Sequence, residues 1–397
     1  MLSLRACGAR LVLCLALGGC ADSPASVRLR TDTTTVLPIR GLWKVRGVGD
    51  AVAPAVDDSS AFFVGTDHRV VAIDKRTGRI RWTSAQTHTA GPSGGNGLFV
   101  VGSLVVYPDY ELYAFERRTG TIVWTFRDTA TLGAGYFLLA ADSTRIFAGS
   151  YDGVAYAVSA LNGHLAWKSS LATDSQRTVV RFPVVSGGRV AFTYQRTSGL
   201  QTGGVALLDA VTGAVRWRTE LPPEFAGLTS GGWGRVAFVG DLLVASSADG
   251  RIHGLDTATG TIRWSSQRPV GLPATAGDYR SLVSASAVVI ASSGEGFLSG
   301  LDGGTGTLLW TLSPNRGSVL DLMTERGGTV YLVYLTGQLA SIQGGNGIAN
   351  WSTAIRDADY FLTFPAIDST MVFVSRDRKS TRLNSSHLRL SRMPSSA

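Results

Sequence analysis

A serine between glycines, a scatter of histidines and 29 acidic side chains are the groups in this chain that could do chemistry. Gly91-Pro-Ser93-Gly-Gly95 matches the Gly-x-Ser-x-Gly pattern that exposes a nucleophilic serine on a strand-to-helix turn. Its flanks are turn-rich and the next apolar run reads as a strand, so the segment reads as a loop. His68, His88, His164 and His253 are spread along the chain without His-Glu-x-x-His or comparable spacing, and no metal site is assigned. All three cysteines, Cys7, Cys14 and Cys20, lie in the first twenty residues, so the body has no thiol to ligate, bridge or attack. No acid, base and nucleophile converge, no catalytic residue is assigned, and binding is the expected function rather than catalysis.

The formal charge of +8 invites a nucleic-acid reading until it is divided along the chain. Residues 1–20 carry Arg5 and Arg10 without an acid, and residues 376–397 carry six basic residues against Asp377. The remainder, 21–375, holds 29 basic and 28 acidic residues. A body so nearly neutral has no clustered positive face with which to follow phosphates, and nucleic acid is not an expected partner.

Arg5 and Arg10 precede the apolar run from Leu11 to Leu17, which is too short to span a bilayer. Leu17-Gly18-Gly19-Cys20 resembles the bacterial lipobox, in which the peptidase cuts before the cysteine and its thiol carries diacylglycerol. The expected layout is a signal peptide over 1–19 and a lipidated tether over 20–40, with Cys20 as the lipid site and the membrane reached through that anchor. Ala21 and Asp22 after the cysteine favour the outer membrane.

What must position any binding site is a repeat. Gly78-Arg-Ile-Arg-Trp82 recurs as Gly120-Thr-Ile-Val-Trp124, Gly163-His-Leu-Ala-Trp167 and Gly213-Ala-Val-Arg-Trp217. Gly260-Thr-Ile-Arg-Trp264, Gly306-Thr-Leu-Leu-Trp310 and Gly347-Ile-Ala-Asn-Trp351 continue it, at spacings of 41 to 50 residues. The apolar residue two before each tryptophan, as in Ile80, Ile122 and Leu165, implies a half-buried strand with that residue on the tryptophan's face. Upstream runs such as Val70-Val-Ala-Ile-Asp74 supply its partner, and the glycine between them ends a short hairpin turn in the left-handed conformation. Further apolar stretches bring each unit to about four strands.

Four antiparallel strands per unit is a propeller blade, because a ring hides the sheet edges that a linear stack would expose. Trp43, 39 residues before Trp82, resembles the last strand of a unit without a beginning. Phe361–Ile367 and Met371–Ser375 match the first two strands of a unit without an end. The expectation is therefore an all-β, eight-bladed propeller over 41–375, closed by pairing the N-terminal strand with the C-terminal blade. Trp43, Trp82, Trp124, Trp167, Trp217, Trp264, Trp310 and Trp351 are assigned to docking between blades, each indole burying ~150–250 Å². Small residues in the paired strand, Ala72, Ala114, Ala157 and Gly254, leave room for a neighbouring indole.

The pattern Ala-x-Asp-x-x-Thr-Gly-x-x-x-Trp resembles the tryptophan-docking repeat of pyrroloquinoline-quinone (PQQ) propellers. With the lipobox, the chain is similar to the BamB family of outer-membrane assembly lipoproteins, whose members bind the insertase BamA. The resemblance implies a periplasmic, lipid-anchored scaffold, a monomer within a complex, with a BamA-like insertase or another envelope protein as partner and no cofactor. Quinoprotein dehydrogenases share the repeat; they use a vicinal disulfide and calcium-binding acids. A PQQ-type quinoprotein, or a sensor propeller binding a small ligand or polysaccharide, is the alternative. The tail, 376–397, breaks the repeat and resembles translated adapter DNA, so a non-native basic tail and an incomplete last blade are expected.

Partner binding falls to loops on such a scaffold. The family's partner surface comes from interblade loops, with apolar residues and arginine in the earlier and acids in the later. By position Val179, Val180 and Arg181 fill the first role and Asp278 the second, with the Gln195–Gly204 insertion a third candidate.

Overall fold

The computed structural model describes residues 43, 45, 52–65, 67–85, 97–129, 135–172, 178–196, 203–220, 233–247, 250–266, 279–293, 297–312, 320–334, 338–354, 365–369, 371–374 and 389–392. Blade 1 contains β1 (Ala55–Val56), β2 (Ser60–Val64), β3 (Val70–Asp74) and β4 (Ile80–Thr83). Blade 2 contains β5 (Phe99–Val101), β6 (Leu104–Pro108), β7 (Leu112–Glu116) and β8 (Ile122–Phe126). Blade 3 contains β9 (Tyr136–Ala141), β10 (Arg145–Ser150), β11 (Val154–Ser159) and β12 (Leu165–Ser170). Blade 4 contains β13 (Thr178–Ser186), β14 (Arg189–Arg196), β15 (Gly203–Asp209) and β16 (Val215–Glu220). Blade 5 contains β17 (Trp233–Val239), β18 (Leu242–Ser247), β19 (Ile252–Asp256) and β20 (Ile262–Ser265). Blade 6 contains β21 (Tyr279–Ala285), β22 (Val288–Ser293), β23 (Leu298–Asp302) and β24 (Leu308–Leu312). Blade 7 contains β25 (Leu320–Arg326), β26 (Thr329–Tyr334), β27 (Gln338–Gln343) and β28 (Ala349–Ala354). A last sheet holds β29 (Ala366–Ile367), β30 (Met371–Val374) and β31 (Arg389–Arg392).

Each blade is an antiparallel meander with its strands in chain order. The first strands touch in sequence around the molecule, β1 to β5, β5 to β9 and onward to β29, which returns to β1, so they form the inner wall of a ring. The structure has seven four-stranded blades, and the expected eighth is not formed. The last sheet has three strands, and β30 takes β31 from the basic tail as its outer neighbour in place of the segment around Trp43. An unpaired strand edge accepts any extended backbone, since the ladder is made of main-chain groups and needs no particular side chains. Trp43 and Val45 belong to no strand, yet both pack with Phe373 of the last sheet and with Phe63 and Ile73 of blade 1.

The core is divided among the gaps between neighbouring sheets. One cluster joins Phe147 and Trp167 of blade 3 to Val180, Val190 and Phe192 of blade 4. Another joins Trp351 of blade 7 to Val372 and Val374 of the last sheet. The assigned tryptophans cross these gaps. The indole N–H of Trp43 donates to the Lys75 carbonyl at 2.8 Å, that of Trp82 to Arg117 at 3.0 Å, and that of Trp124 to Ala160 at 3.2 Å. Trp167 and Trp217 repeat the bond to Ala210 and Thr257, each at 3.0 Å. Each ring lies on the turn glycine of the next blade. At Gly213, with φ of 73°, an added Cβ would sit 2.5 Å from the Trp167 ring, so glycine answers two demands there, the left-handed turn and the close approach of the indole.

Directly opposite the tryptophan on its own blade stands Ala72, Ala114 or Ala157 in blades 1–3 and Gly254 or Gly300 in blades 5 and 6, whereas Leu207 faces Trp217 in blade 4 and Ser341 faces Trp351 in blade 7. The room left by the alanines and glycines is thus for the blade's own indole. In the two glycine blades the indoles of Trp264 and Trp310 settle into the space an alanine methyl would fill, and their N–H groups have no hydrogen-bond partner.

The residues two before the tryptophans do not share its face. Ile80 is 53% exposed and Ile122 and Leu165 are also exposed, whereas Trp124 and Trp167 are buried. A bulge separates the two positions: Ile80 faces Ile73 and Trp82 faces Ala72, so two steps along the outer strand answer one step along its partner. The extra residue inverts the period-two alternation, and the same irregularity recurs in the other blades.

An aspartate holds the turn before most tryptophans. Asp209 Oδ1 accepts from the N–H of Val211 at 2.9 Å and of Thr212 at 3.0 Å, while its Oδ2 receives Arg216 at 2.7 Å. The Arg216 bond, helped by these amides, lowers the Asp209 pKa from 3.8 to about 2, and Arg263 does the same for Asp256.

Replacement of Trp167 by alanine is expected to destabilise the fold by about 3–5 kcal/mol, read from denaturant or thermal unfolding. Because the carboxylates are depressed in the folded state, their stabilisation is complete above pH ~4 and is lost as pH falls from ~4 to ~2. Asp209→Asn should flatten part of that acid limb in a melting-temperature profile, and an unchanged limb would show that the turn carboxylates do not drive it.

Candidate functional site

Among the described residues, no three His, Cys, Asp or Glu side chains come together as a metal site. Ser93, His88, Cys20 and Asp278 lie outside the described residues. His253 is buried with its Nε2 3.1 Å from Ser247 Oγ and its Nδ1 2.8 Å from Ser265 Oγ, a histidine satisfied inside a blade rather than one open to substrate. The cysteine-free body cannot form the vicinal disulfide that the quinoprotein resemblance implies, and the described acids form no calcium cradle. No helix among the described residues is long and apolar enough to cross a membrane.

The partner-binding candidates separate in the structure. Val179 and Val180 are 3% and 0% exposed, and Val180 packs among Phe147, Phe192 and Tyr194 between blades 3 and 4. Both are buried, so the docking expectation for that stretch narrows to Arg181. The backbone explains the burial: the Val180 carbonyl lies so close to Gly149 of blade 3 that a Cβ there would collide with it.

Arg181 opens a bulge in β13, where the register with β14 shifts between Arg181 and Val184. The bulge places Phe182 at φ of 49°, a left-handed conformation uncommon for an aromatic residue and followed at once by Pro183. β17 of blade 5 bulges at the corresponding end, between Trp233 and Val236, and delivers Arg235. Its guanidinium carbon stands 4.8 Å from the centre of the Phe182 ring. Arg181, Phe182 and Arg235 are all partly exposed, and burial pushes the Arg181 guanidinium below its ordinary pKa. Sequence reasoning missed Phe182 and Arg235. The available signals were an aromatic residue before proline and an arginine after Trp233-Gly234, but neither shows that two bulges will bring them together.

The surroundings are rigid. Tyr194 donates to Glu220 at 2.7 Å, and Arg196 pairs with the same carboxylate at 3.1 Å, fixing the end of the β14–β15 hairpin where the Gln195–Gly204 insertion begins. Thr178 of β13 faces Arg196 in the ladder, so the hairpin lies at the end of β13 that leads into the bulge. Between blades 2 and 3, Lys168 and Tyr156 hold Asp128 at 2.8 and 3.1 Å. A surface that stacks Arg235 on the Phe182 ring and carries Arg181 at the start of the same bulge can grip another surface.

A family model described as "Outer membrane protein assembly factor BamB" matches residues 40–201 and 201–360. No curated protein sequence matches the chain. Among solved structures, BamB from Moraxella catarrhalis is similar with a TM-score of 0.61 and 15% identity, over 91% of this chain and 99% of that one. The europium-containing methanol dehydrogenase is similar with a TM-score of 0.68 and 11% identity, over 93% and 96%. Quinohemoprotein alcohol dehydrogenase from Comamonas testosteroni has a TM-score of 0.65 and 13% identity, over 89% of this chain and 76% of its own. At these identities the structures share the propeller, and it is the sequence pattern over both halves of the ring that places this chain in the outer membrane protein assembly factor BamB family.

Proposed function

We propose that this protein is a periplasmic interaction scaffold, lipid-anchored through Cys20, that assists the assembly of outer-membrane β-barrel proteins by holding a BamA-like insertase. The observation that carries the docking mode is Arg235 stacked over Phe182, with Arg181 next to it in sequence, where the first strands of blades 4 and 5 bulge. Arginine and aromatic side chains set on rigid strands have the composition and low entropic cost of an interface centre. The strained backbone at Phe182 supports a functional role, since the surrounding sheet must sustain it. The competing reading, a quinone-binding oxidoreductase, is supported by the shared propeller of the dehydrogenases.

Affinity purification of the chain from bacterial envelopes tests both. Recovery of the insertase without quinone absorbance supports the scaffold, whereas a bound chromophore without the insertase supports the dehydrogenase. Arg181→Glu is expected to weaken retention of the insertase by about tenfold or more. Equal copurification by parent and variant, at equal melting temperature, would remove this end of blade 4 from the interface.

A further inference from the structure

Exposed large aliphatic side chains among the described residues, such as Ile80, Ile122, Val123 and Leu308, all lie on the outer strands or the turns that lead into them. Positive charge is not spread so evenly. Residues 74–83 of blade 1 hold Lys75, Arg76, Arg79 and Arg81 against Asp74, and residues 116–127 of blade 2 hold Arg117, Arg118 and Arg127 against Glu116. The matching segment of blade 6, residues 302–312, contains Asp302 and no basic residue, and that of blade 7, residues 343–354, contains no charge. Arg81 is drawn to Asp74 at 2.5 Å, Lys75 to Asp368 at 2.7 Å, Arg117 to Asp57 at 3.1 Å and Arg127 to Glu111 at 3.6 Å, so the outward charge rests with Arg76, Arg79 and Arg118, which are exposed.

These two outer hairpins form one continuous surface. Trp82 of β4 donates to the carbonyl of Arg117 and rests on Gly120, which joins the blade 1 strand to the blade 2 turn. On the other side Trp43 donates to the carbonyl of Lys75 and rests on Gly78. The 42 residues before Trp43 therefore join the ring at the edge of the basic surface. Cys20 is 23 positions away, a span whose typical end-to-end distance is about 26 Å if flexible.

We infer that the outer hairpins of blades 1 and 2 form a docking face for an anionic phospholipid bilayer, with Arg76, Arg79 and Arg118 meeting lipid phosphates and Ile80, Ile122 and Val123 entering the interfacial layer. The orientation rests on the anchor reading above, because a lipid on Cys20 would hold this side of the ring nearest the membrane. The chemistry of the face does not: clustered arginines are attracted to an anionic surface and flanking aliphatics add burial, whatever brings the protein there.

The test uses the full chain carrying Cys20→Ser, so that no acyl chain contributes, and vesicles of phosphatidylcholine with or without about 30% phosphatidylglycerol. Cosedimentation with the anionic vesicles alone is expected, with release as salt rises from about 0.1 to 0.5 M. The combined change Arg76→Glu, Arg79→Glu and Arg118→Glu should lower binding by about a hundredfold at an unchanged melting temperature, since all three side chains are exposed. Any residual attachment through the apolar leader is common to both chains and cancels in the comparison. Equal binding by parent and triple variant, or by anionic and neutral vesicles, overturns the proposal. So does a parent that ignores vesicles while the triple variant loses an envelope protein partner, which would make this an acidic-protein interface. Failure of the native Cys20 chain to incorporate labelled fatty acid would remove the anchor and leave the vesicle result standing.

Discussion

Everything in this ring depends on an indole lying flat on the backbone of the next sheet. A tryptophan crosses each interblade gap, and the glycine beneath it serves because it has no Cβ and can take a positive φ. The indole N–H then reaches the carbonyl that starts the same turn, as Trp167 reaches Ala210. Area burial, shape and one hydrogen bond thus act at a single point, and the aspartate that organises the turn keeps that point in place. Where the opposing residue loses its methyl, at Gly254 and Gly300, the indole sinks into its own blade and the hydrogen bond is absent. The aromatic contact is the constant and the hydrogen bond the variable.

Because each hydrophobic cluster lies between two neighbouring sheets, stability is built from local contacts, and strand ends can change without disturbing distant gaps. Blade 4 uses that freedom twice, with the bulge that exposes Arg181 and Phe182 and with the extended hairpin secured by Glu220. The outer hairpins of blades 1 and 2 use it differently, carrying positive charge that the matching segments of blades 6 and 7 lack. The two proposed surfaces thus fall on the bulged first strands of blades 4 and 5 and on the outer hairpins of blades 1 and 2, on one frame.

The repeat was legible because its requirements are local. A glycine four residues before a tryptophan states both the turn and the docking contact, so blades, their order and the gaps filled by Trp43 through Trp351 could be read from spacing. The number of complete blades could not. Closure depends on which strand lies beside Met371–Val374, and backbone pairing accepts Arg389–Arg392 as readily as the segment around Trp43. Trp43 nonetheless keeps its docking position, because a side-chain contact with Gly78 does not require ladder pairing.

The face of each outer strand was misread for a related reason. Alternation predicts that Ile80 and Trp82 point the same way, but the bulge between them adds a residue that no composition signal marks. The same device hides the candidate site, since Phe182 and Arg235 become neighbours only when two inner strands bulge at adjacent blades. The sequence alone determined the repeating unit, the docking residues and the charge-neutral, cysteine-free body, all set by interactions within a unit or with the next one. Only the tertiary structure decided the blade count, the exposed aliphatics and the arginine–phenylalanine cluster, because these follow from strand register across long separations, where one slipped residue reverses what a side chain faces.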